Sequence, residues 1–185
     1  MMKCAVFLTE GFEECEGLIP VDLLRRAGFE VNTVSMASGL NVCGSRGVTV
    51  LADTMWEDIS PEAYDILILP GGKRGKENLE ASAELTQAVA EHYKKGKLTC
   101  ALCASPSILG HLGILKGKRY TCFPDFNEPE FGGCYDTVHA AVRDGNLITG
   151  KGMGASIEFA REIIRAAAPE RLEQVEQGIQ YFPIR

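Results

Sequence analysis

Residues Leu98–Ser107 carry the clearest signal for chemistry, because an apolar run leads directly into a segment with helix-starting residues. Cys103 lies at this junction and is followed by two small residues and then by Pro106, which is favoured in the first turn of a helix. A sharp strand-to-helix turn is typical of a nucleophile elbow, which presents a side chain at the end of a sheet. The positive end of the helix dipole stabilises a thiolate, so we expect Cys103 to be a reactive cysteine with a lowered pKa. The alternative is a buried, inert cysteine.

Cys100 and Cys103 form a C-x-x-C pattern, which in other contexts indicates a redox-active disulfide. In an extended strand, residues three positions apart lie about 10 Å from each other and point to opposite faces. A disulfide requires Cα atoms within about 7 Å of each other. We therefore expect Cys100 to be a core residue and not the partner of Cys103.

Two other segments could contribute to a site at the same end of the strands. Leu69–Gly72 reads Leu-Pro-Gly-Gly, and paired glycines let backbone N–H groups approach a ligand or an oxyanion. Glu10–Glu16 contains four carboxylates, one of which would have a raised pKa and could transfer a proton if it turned inward beside a cysteine. An ordinary tight turn and a solvated acidic loop remain the alternatives.

Nucleotide and metal binding are weakly supported by the sequence. The glycines of Gly150–Gly154 do not follow the G-x-G-x-x-G spacing of a dinucleotide loop, so a turn of close approach is favoured. Cys122, Cys134 and His139 match no compact zinc motif. We therefore expect neither a cofactor nor a metal.

Apolar runs alternate with amphipathic segments along the chain, which predicts a parallel sheet covered by helices on both faces. We predict a single domain over residues 1–185 with an α/β, flavodoxin-like three-layer sandwich and a mostly parallel sheet. Ligands of such sheets bind beyond the carboxyl ends of the strands, where Cys103 falls. The predicted strands are Met2–Thr9, Glu30–Ser35, Tyr64–Leu69, Lys97–Leu102, Lys118–Cys122, Thr137–Val142 and Asn146–Thr149, with a hairpin in Leu40–Ala52. The predicted helices are Glu16–Ala27, Ser82–Lys95, Pro106–Leu112, Ala155–Ala168 and a last one from Pro169 to Gln177.

Charge and composition exclude several classes of partner. The formal net charge is -6, whereas a nucleic-acid or anionic membrane surface needs concentrated positive charge. No apolar stretch approaches the roughly 20 residues that cross a bilayer, and the apolar start of the chain is typical of a first strand and not of a signal peptide. Seven cysteines at irregular spacings indicate free thiols in a reducing compartment, so we expect a cytoplasmic protein.

Four segments, in order and spacing, resemble one known family. They are EGFEECEGLIPVDLLRRAG at Glu10–Gly28, LPGG at Leu69–Gly72, CASP at Cys103–Pro106 and GMGA at Gly152–Ala155. Together they resemble the DJ-1 branch of the DJ-1/ThiJ/PfpI superfamily over nearly the whole chain. Each motif alone is weak, whereas the ordered set is specific.

The resemblance implies roles for individual residues. Cys103 matches the nucleophilic, oxidation-prone cysteine of the family, and Glu16 matches the buried, protonated glutamate that hydrogen-bonds it. Gly72 and Ala104 match the positions whose backbone N–H groups form the oxyanion pocket. The family's usual homodimer, with the first long helix at the interface, is implied here as well.

Arg26 and Arg46 resemble arginines that form an anion-friendly surface near the cysteine. Two positions depart from relatives. Ala104 replaces the histidine that follows the cysteine in the hydrolase-like branches, which argues against protease or amidase activity. Phe123 stands where some DJ-1-like members have a histidine before the proline matching Pro124, so any mechanism that needs this histidine is weakened.

Two functions follow from the resemblance. In the first, Cys103 attacks a small reactive dicarbonyl such as methylglyoxal and Glu16 moves the proton, which is chemistry of the glyoxalase III or deglycase type. In the second, Cys103 is oxidised to sulfinate in a redox-responsive stress protein without turnover. A non-catalytic scaffold with a retained core cysteine is a third possibility.

Overall fold

The computed structural model describes residues 1–182, which form one seven-stranded sheet, two small two-stranded sheets and six α-helices. The strands are β1 (Lys3–Leu8), β2 (Glu30–Ser35), β3 (Asn41–Cys43), β4 (Thr49–Leu51), β5 (Thr54–Met55), β6 (Ile66–Leu69), β7 (Leu98–Leu102), β8 (Arg119–Tyr120), β9 (Cys134–Tyr135), β10 (Ala141–Asp144) and β11 (Leu147–Gly150). The helices are α1 (Glu14–Arg26), α2 (Lys73–Ala81), α3 (Ala83–Lys94), α4 (Pro106–His111), α5 (Ser156–Ala167) and α6 (Leu172–Gly178). Within this range, no helix is long and apolar enough to span a bilayer.

The large sheet has the strand order β10-β11-β7-β6-β1-β2-β5, and every pair is parallel except β10 with β11. The continuously apolar run in the sequence forms β6, the central strand of this sheet, and its four residues are all buried. Ile66 and Ile68 pack into the core that α1 and α5 cover, whereas Leu67 and Leu69 pack into the core on the α3 and α4 side. The predicted three-layer α/β sandwich with a mostly parallel sheet is therefore confirmed.

The strand predicted over Thr137–Val142 is wrong in its first four residues. The Asp136 carboxylate accepts hydrogen bonds from the backbone N–H groups of Val138 and His139, at 2.8 and 2.9 Å. A side chain that takes up backbone donors in this way competes with a strand ladder. The strand consequently begins only at Ala141, where it pairs with β11.

Other elements also differ from the sequence prediction, among them the short strands β5 and β9, which were not predicted. The segment predicted as Lys118–Cys122 forms only the short strand β8, which pairs with β9 outside the main sheet. Helix α2 was not predicted, because Leu79 is its only strongly apolar residue. The helix approaches the chain closely enough that a Cβ at Gly75 would lie 2.7 Å from the Cα of Phe12. Because this contact is made by backbone atoms and a glycine, it leaves no periodic hydrophobic pattern in the sequence of α2.

The buried His92 of α3 gives the fold a testable pH dependence. Its Nε2 lies 3.2 Å from the carbonyl oxygen of Leu98, and burial lowers its pKa from 6.5 to about 4. Because the folded state favours the neutral ring, stability is fully present above pH 6.5 and is lost as the pH falls towards 4. We expect this loss to be about 3 kcal/mol of the free energy of unfolding.

Urea unfolding at pH 7 and pH 4.5 would measure this dependence in wild type and in His92→Gln. Glutamine can still donate to Leu98 but does not titrate, so the variant isolates the histidine from the carboxylates that titrate in the same range. Equal losses of stability in the two proteins would contradict a buried neutral His92.

Candidate active site at the end of the central strands

The backbone of Cys103 makes an unusual turn between β7 and α4. Its φ is 62°, in the left-handed region that residues other than glycine rarely adopt. This conformation costs about 1–2 kcal/mol and is typically kept where a site needs it. Two hydrogen bonds hold the turn: the N–H of Cys103 donates to the carbonyl of Gly150 at 3.0 Å, and its own carbonyl accepts from the N–H of Phe123 at 2.8 Å.

Glu16 lies in the first turn of α1 and is fully buried. Its Oε2 accepts a hydrogen bond from the N–H of Gly71 at 2.9 Å, and the side chain of Glu13 accepts from the backbone N–H of Glu16 at 2.8 Å. The other carboxyl oxygen, Oε1, is buried and has no hydrogen-bond partner among the described residues. The carboxyl group interacts with the side chain of Cys103. Burial raises the pKa of this carboxyl to about 7.

The two glycines after β6 allow the close packing around the cysteine. A Cβ at Gly71 would lie 2.5 Å from Oε2 of Glu16 and 2.6 Å from Cβ of Cys103. Gly72 has a φ of 86°, and a Cβ there would lie 2.4 Å from the carbonyl oxygen of Gly11. The turn therefore brings the N–H of Gly72 to the cysteine, where it acts together with the N–H of Ala104 to favour a thiolate.

The thiol itself does not follow the sequence expectation of a lowered pKa. Burial and the negative charge of Glu16 raise the pKa of Cys103 to about 12, and the N–H groups of Gly72 and Ala104 oppose this only in part. The expectation is wrong for the state with ionised Glu16, because two negative charges would share one buried space. A thiolate at neutral pH consequently requires that Glu16 carry the proton.

A cavity of about 600 Å³ opens onto the cysteine. Its lining includes the cationic side chains of Arg46, Lys73 and Arg74, the carboxylates of Glu10 and Glu13, and an apolar part. The apolar part consists of Phe123, Phe126 and Met153. The cavity therefore offers a nucleophile, a carboxyl, positive charge and an apolar wall to one small ligand.

Of the two arginines implied by the resemblance, the fold brings only one to this cavity. Arg46 lines it, on the loop between β3 and β4. That loop is held by the buried Glu14, whose Oε1 accepts from the N–H of Arg46. Arg26 instead pairs with Asp22 at 2.8 Å and lines a separate groove with Ile157. Within one chain, Arg26 does not contribute to the surface around Cys103.

Several cavity residues were missed by the sequence analysis. Lys73 and Arg74 directly follow the Pro-Gly-Gly turn, so their position after a strand could have indicated them. Phe126 and Met153 come from irregular segments that carry no such signal. Cys43, which also lines the cavity, is one of seven cysteines and was not distinguished by its spacing.

The structure shows where the other cysteines lie and whether they could bind a metal. Cys100 is fully buried on β7, as predicted, and all seven cysteines are free. Cys122 is buried, whereas Cys134 is exposed. No group of three or more His, Cys, Asp or Glu side chains within residues 1–182 could hold a metal ion.

The fold and the site define a class of protein: an α/β sandwich with a cysteine and a buried carboxyl at the carboxyl end of a parallel sheet. A family model described as the DJ-1/PfpI family matches residues 2–166. The chain belongs to this family.

Individual relatives agree with this assignment. The chain is 35% identical over 183 residues to protein dj-1beta of Drosophila melanogaster, with 97% of each protein covered. It is 29% identical over 165 residues to a protein of Pyrococcus abyssi named a deglycase, covering 89% of this chain and 98% of the relative. A crystal structure of a DJ-1 superfamily protein from Salmonella typhimurium superposes with a TM-score of 0.91 at 34% identity, covering 98% of this chain and 100% of that one.

Proposed function

We propose that the protein converts small reactive dicarbonyls to hydroxy acids, with Cys103 as nucleophile and Glu16 as proton carrier. The turn at Cys103 would then serve as a nucleophile elbow. The observation that carries the proposal is the pairing of this cysteine with a fully buried carboxyl whose pKa is raised to about 7. A carboxyl with a pKa near neutrality can both accept and return a proton. The deglycase name of the Pyrococcus abyssi relative supports the same substrate class.

With methylglyoxal as substrate, the reaction begins at the aldehyde. The Cys103 thiolate attacks the aldehyde carbon, and the oxyanion that forms accepts hydrogen bonds from the N–H groups of Gly72 and Ala104 before it takes the proton of Glu16, which leaves the Glu16 carboxyl ionised. Glu16 removes the proton from the former aldehyde carbon and returns it to the neighbouring carbon. The resulting thioester is hydrolysed by water, which releases lactate and regenerates the thiol. These reaction steps require no cofactor. The cationic side chains of Arg46, Lys73 and Arg74 would attract the carboxylate product.

The proposal includes a homodimer in the cytosol. Helices α1 and α5 border a groove of about 880 Å³ with the apolar side chains of Ile19, Leu23 and Ile157 on its walls. A second copy of the chain is the occupant that the family resemblance implies. Seven free cysteines are compatible with a reducing compartment.

Lactate formation from methylglyoxal, followed by proton NMR, tests the proposed function. Wild type is expected to form lactate, whereas Glu16→Gln is expected to lose at least about 100-fold in turnover because an amide cannot shuttle the proton. The variant should still react with iodoacetamide at Cys103, since glutamine fills the same volume and adds no charge beside the sulfur.

Two results would contradict these roles, and one would show that the variant is not a valid test. Unchanged turnover in Glu16→Gln would remove the proton carrier from the mechanism. Loss of both turnover and alkylation in that variant would indicate a damaged site and not a missing proton transfer. Absence of lactate with wild type, with reduced Cys103 confirmed by mass spectrometry, would reject the dicarbonyl activity.

A redox-responsive stress protein is the second candidate. The same geometry favours it, because a sulfinate at Cys103 could accept hydrogen bonds from protonated Glu16 and from the N–H groups of Gly72 and Ala104. In that case Cys103 would be oxidised by peroxide faster than the exposed Cys15 and Cys134, and no turnover would accompany it.

A further inference from the structure

We propose that Phe123, Phe126 and Met153 form an apolar subsite that selects 2-oxoaldehydes with an aromatic or bulky apolar substituent over methylglyoxal. This inference rests on the proposed function and specifies its substrate class. It concerns the part of the cavity where Phe123 replaces the histidine of some relatives. The reacting groups, Cys103 and Glu16, are the same for every substrate.

The backbone fixes the position of Phe123 relative to the nucleophile. Its N–H donates to the carbonyl of Cys103 at 2.8 Å. The backbone of Phe123 therefore lies directly beside that of the reactive residue. A Cβ at Gly152 would lie 3.6 Å from Cδ2 of Phe123, so the ring packs beside a residue that has no side chain. The ring also meets Phe126 edge to face, with centroids 6.4 Å apart.

These contacts hold the ring but do not cover it. Phe123 is 42% exposed and Met153 is 53% exposed, and both line the cavity that contains Cys103. Both also line an adjoining apolar hollow of about 510 Å³. The apolar wall near the nucleophile is therefore continuous and open to a ligand.

The size of the cavity distinguishes between substituents. A volume of about 600 Å³ is in the range that holds a drug-sized ligand, whereas the methyl group of methylglyoxal covers little of the apolar wall. A phenyl ring or a branched alkyl chain would bury both its own apolar surface and that of Phe123 and Met153, which is favourable in proportion to the area removed from water. An aldehyde with such a substituent should therefore react with the higher specificity constant.

The overall reaction is the same for any substituent. A 2-oxoaldehyde and one water give a 2-hydroxy carboxylate and a proton, through the same hemithioacetal and thioester on Cys103. The substituent stays bonded to its carbon throughout, so the subsite affects recognition and not the bonds that change. No further reactant is needed.

The test compares kcat/KM for phenylglyoxal and methylglyoxal in wild type, Phe123→Ala and Phe123→Leu. The readout is the phenylglyoxal-to-methylglyoxal ratio, because the intrinsic reactivities of the aldehydes cancel when variants are compared. The ratio is expected to fall about tenfold in Phe123→Ala and much less in Phe123→Leu, which keeps an apolar side chain. Leu51→Ala, at an exposed apolar residue of β4, is the matched control with an unchanged ratio. A ratio in Phe123→Ala within twofold of wild type would overturn the proposal.

A second measurement does not depend on turnover. The rates at which iodoacetamide and N-benzyl iodoacetamide alkylate Cys103 are compared by mass spectrometry in the same variants. A fall in the benzyl-to-parent ratio in Phe123→Ala supports the subsite even if neither aldehyde is converted, which would reject only the proposed function. An unchanged alkylation ratio would overturn the subsite even if both aldehydes are converted.

Discussion

Cys103→Ser is expected to abolish lactate formation from methylglyoxal, with a loss of at least about 10³-fold. A hydroxyl at the partly buried position of Cys103 ionises far less readily than a thiol, and no histidine follows it to act as a base. The N–H groups of Gly72 and Ala104 would remain in place but would have no nucleophile to assist. Initial rates from proton NMR, with the fold checked by circular dichroism, would measure the loss.

The matched control is Cys134→Ser, because Cys134 is an exposed cysteine outside the cavity. Its turnover should equal that of wild type. Substantial turnover in Cys103→Ser would assign the chemistry to another group and would remove the basis of the proposed function.

Gly71→Ala is expected to damage both the stability and the activity of the protein. The added Cβ would lie 2.5 Å from Oε2 of Glu16, 2.6 Å from Cβ of Cys103 and 2.8 Å from the carbonyl oxygen of Leu102. None of these atoms is the flexible end of a side chain that could turn away without disturbing the site. We expect a loss of about 3 kcal/mol in the free energy of unfolding, from overpacking, and a fall in turnover of about 100-fold from the displaced carboxyl.

Gly39→Ala supplies the control for this prediction, because nothing lies within 4 Å of a Cβ built there. Urea unfolding and lactate formation would be measured for both variants. A Gly71→Ala protein with wild-type stability and turnover would show that the turn relaxes easily, and that the close packing around Glu16 is not needed.

The sequence determined the sheet and the place of the cysteine. The continuously apolar run at the end of Tyr64–Leu69 predicts a strand buried on both faces, and the structure confirms it as β6. Cys103 is predicted at a strand-to-helix junction because Pro106 follows an apolar strand, and the turn there has a φ of 62°. These features are local, so a short stretch of sequence contains the physical information that produces them.

Three features were predicted poorly, one because it depends on contacts between distant segments and two because of local side-chain interactions. Helix α2 has little apolar periodicity and is placed by contacts of Gly75 with the first loop. The strand at Thr137–Val142 is shortened by a side-chain turn at Asp136 that propensities do not reveal. Arg26 is drawn to Asp22 on its own helix and not to the cavity that contains Arg46.

The pKa of Cys103 is the property for which the sequence and the tertiary structure differ most clearly. The sequence supplied a cysteine at a helix start, and from that alone a lowered thiol pKa was expected. The family resemblance implies Glu16 beside this cysteine, and the folded chain shows that its carboxyl is fully buried there. Burial raises the pKa of both groups, and because electrostatic interaction strengthens when water is excluded, the negative charge of Glu16 raises the pKa of Cys103 further. The sequence determined which residue could act as the nucleophile, whereas the tertiary structure decided where its proton must be.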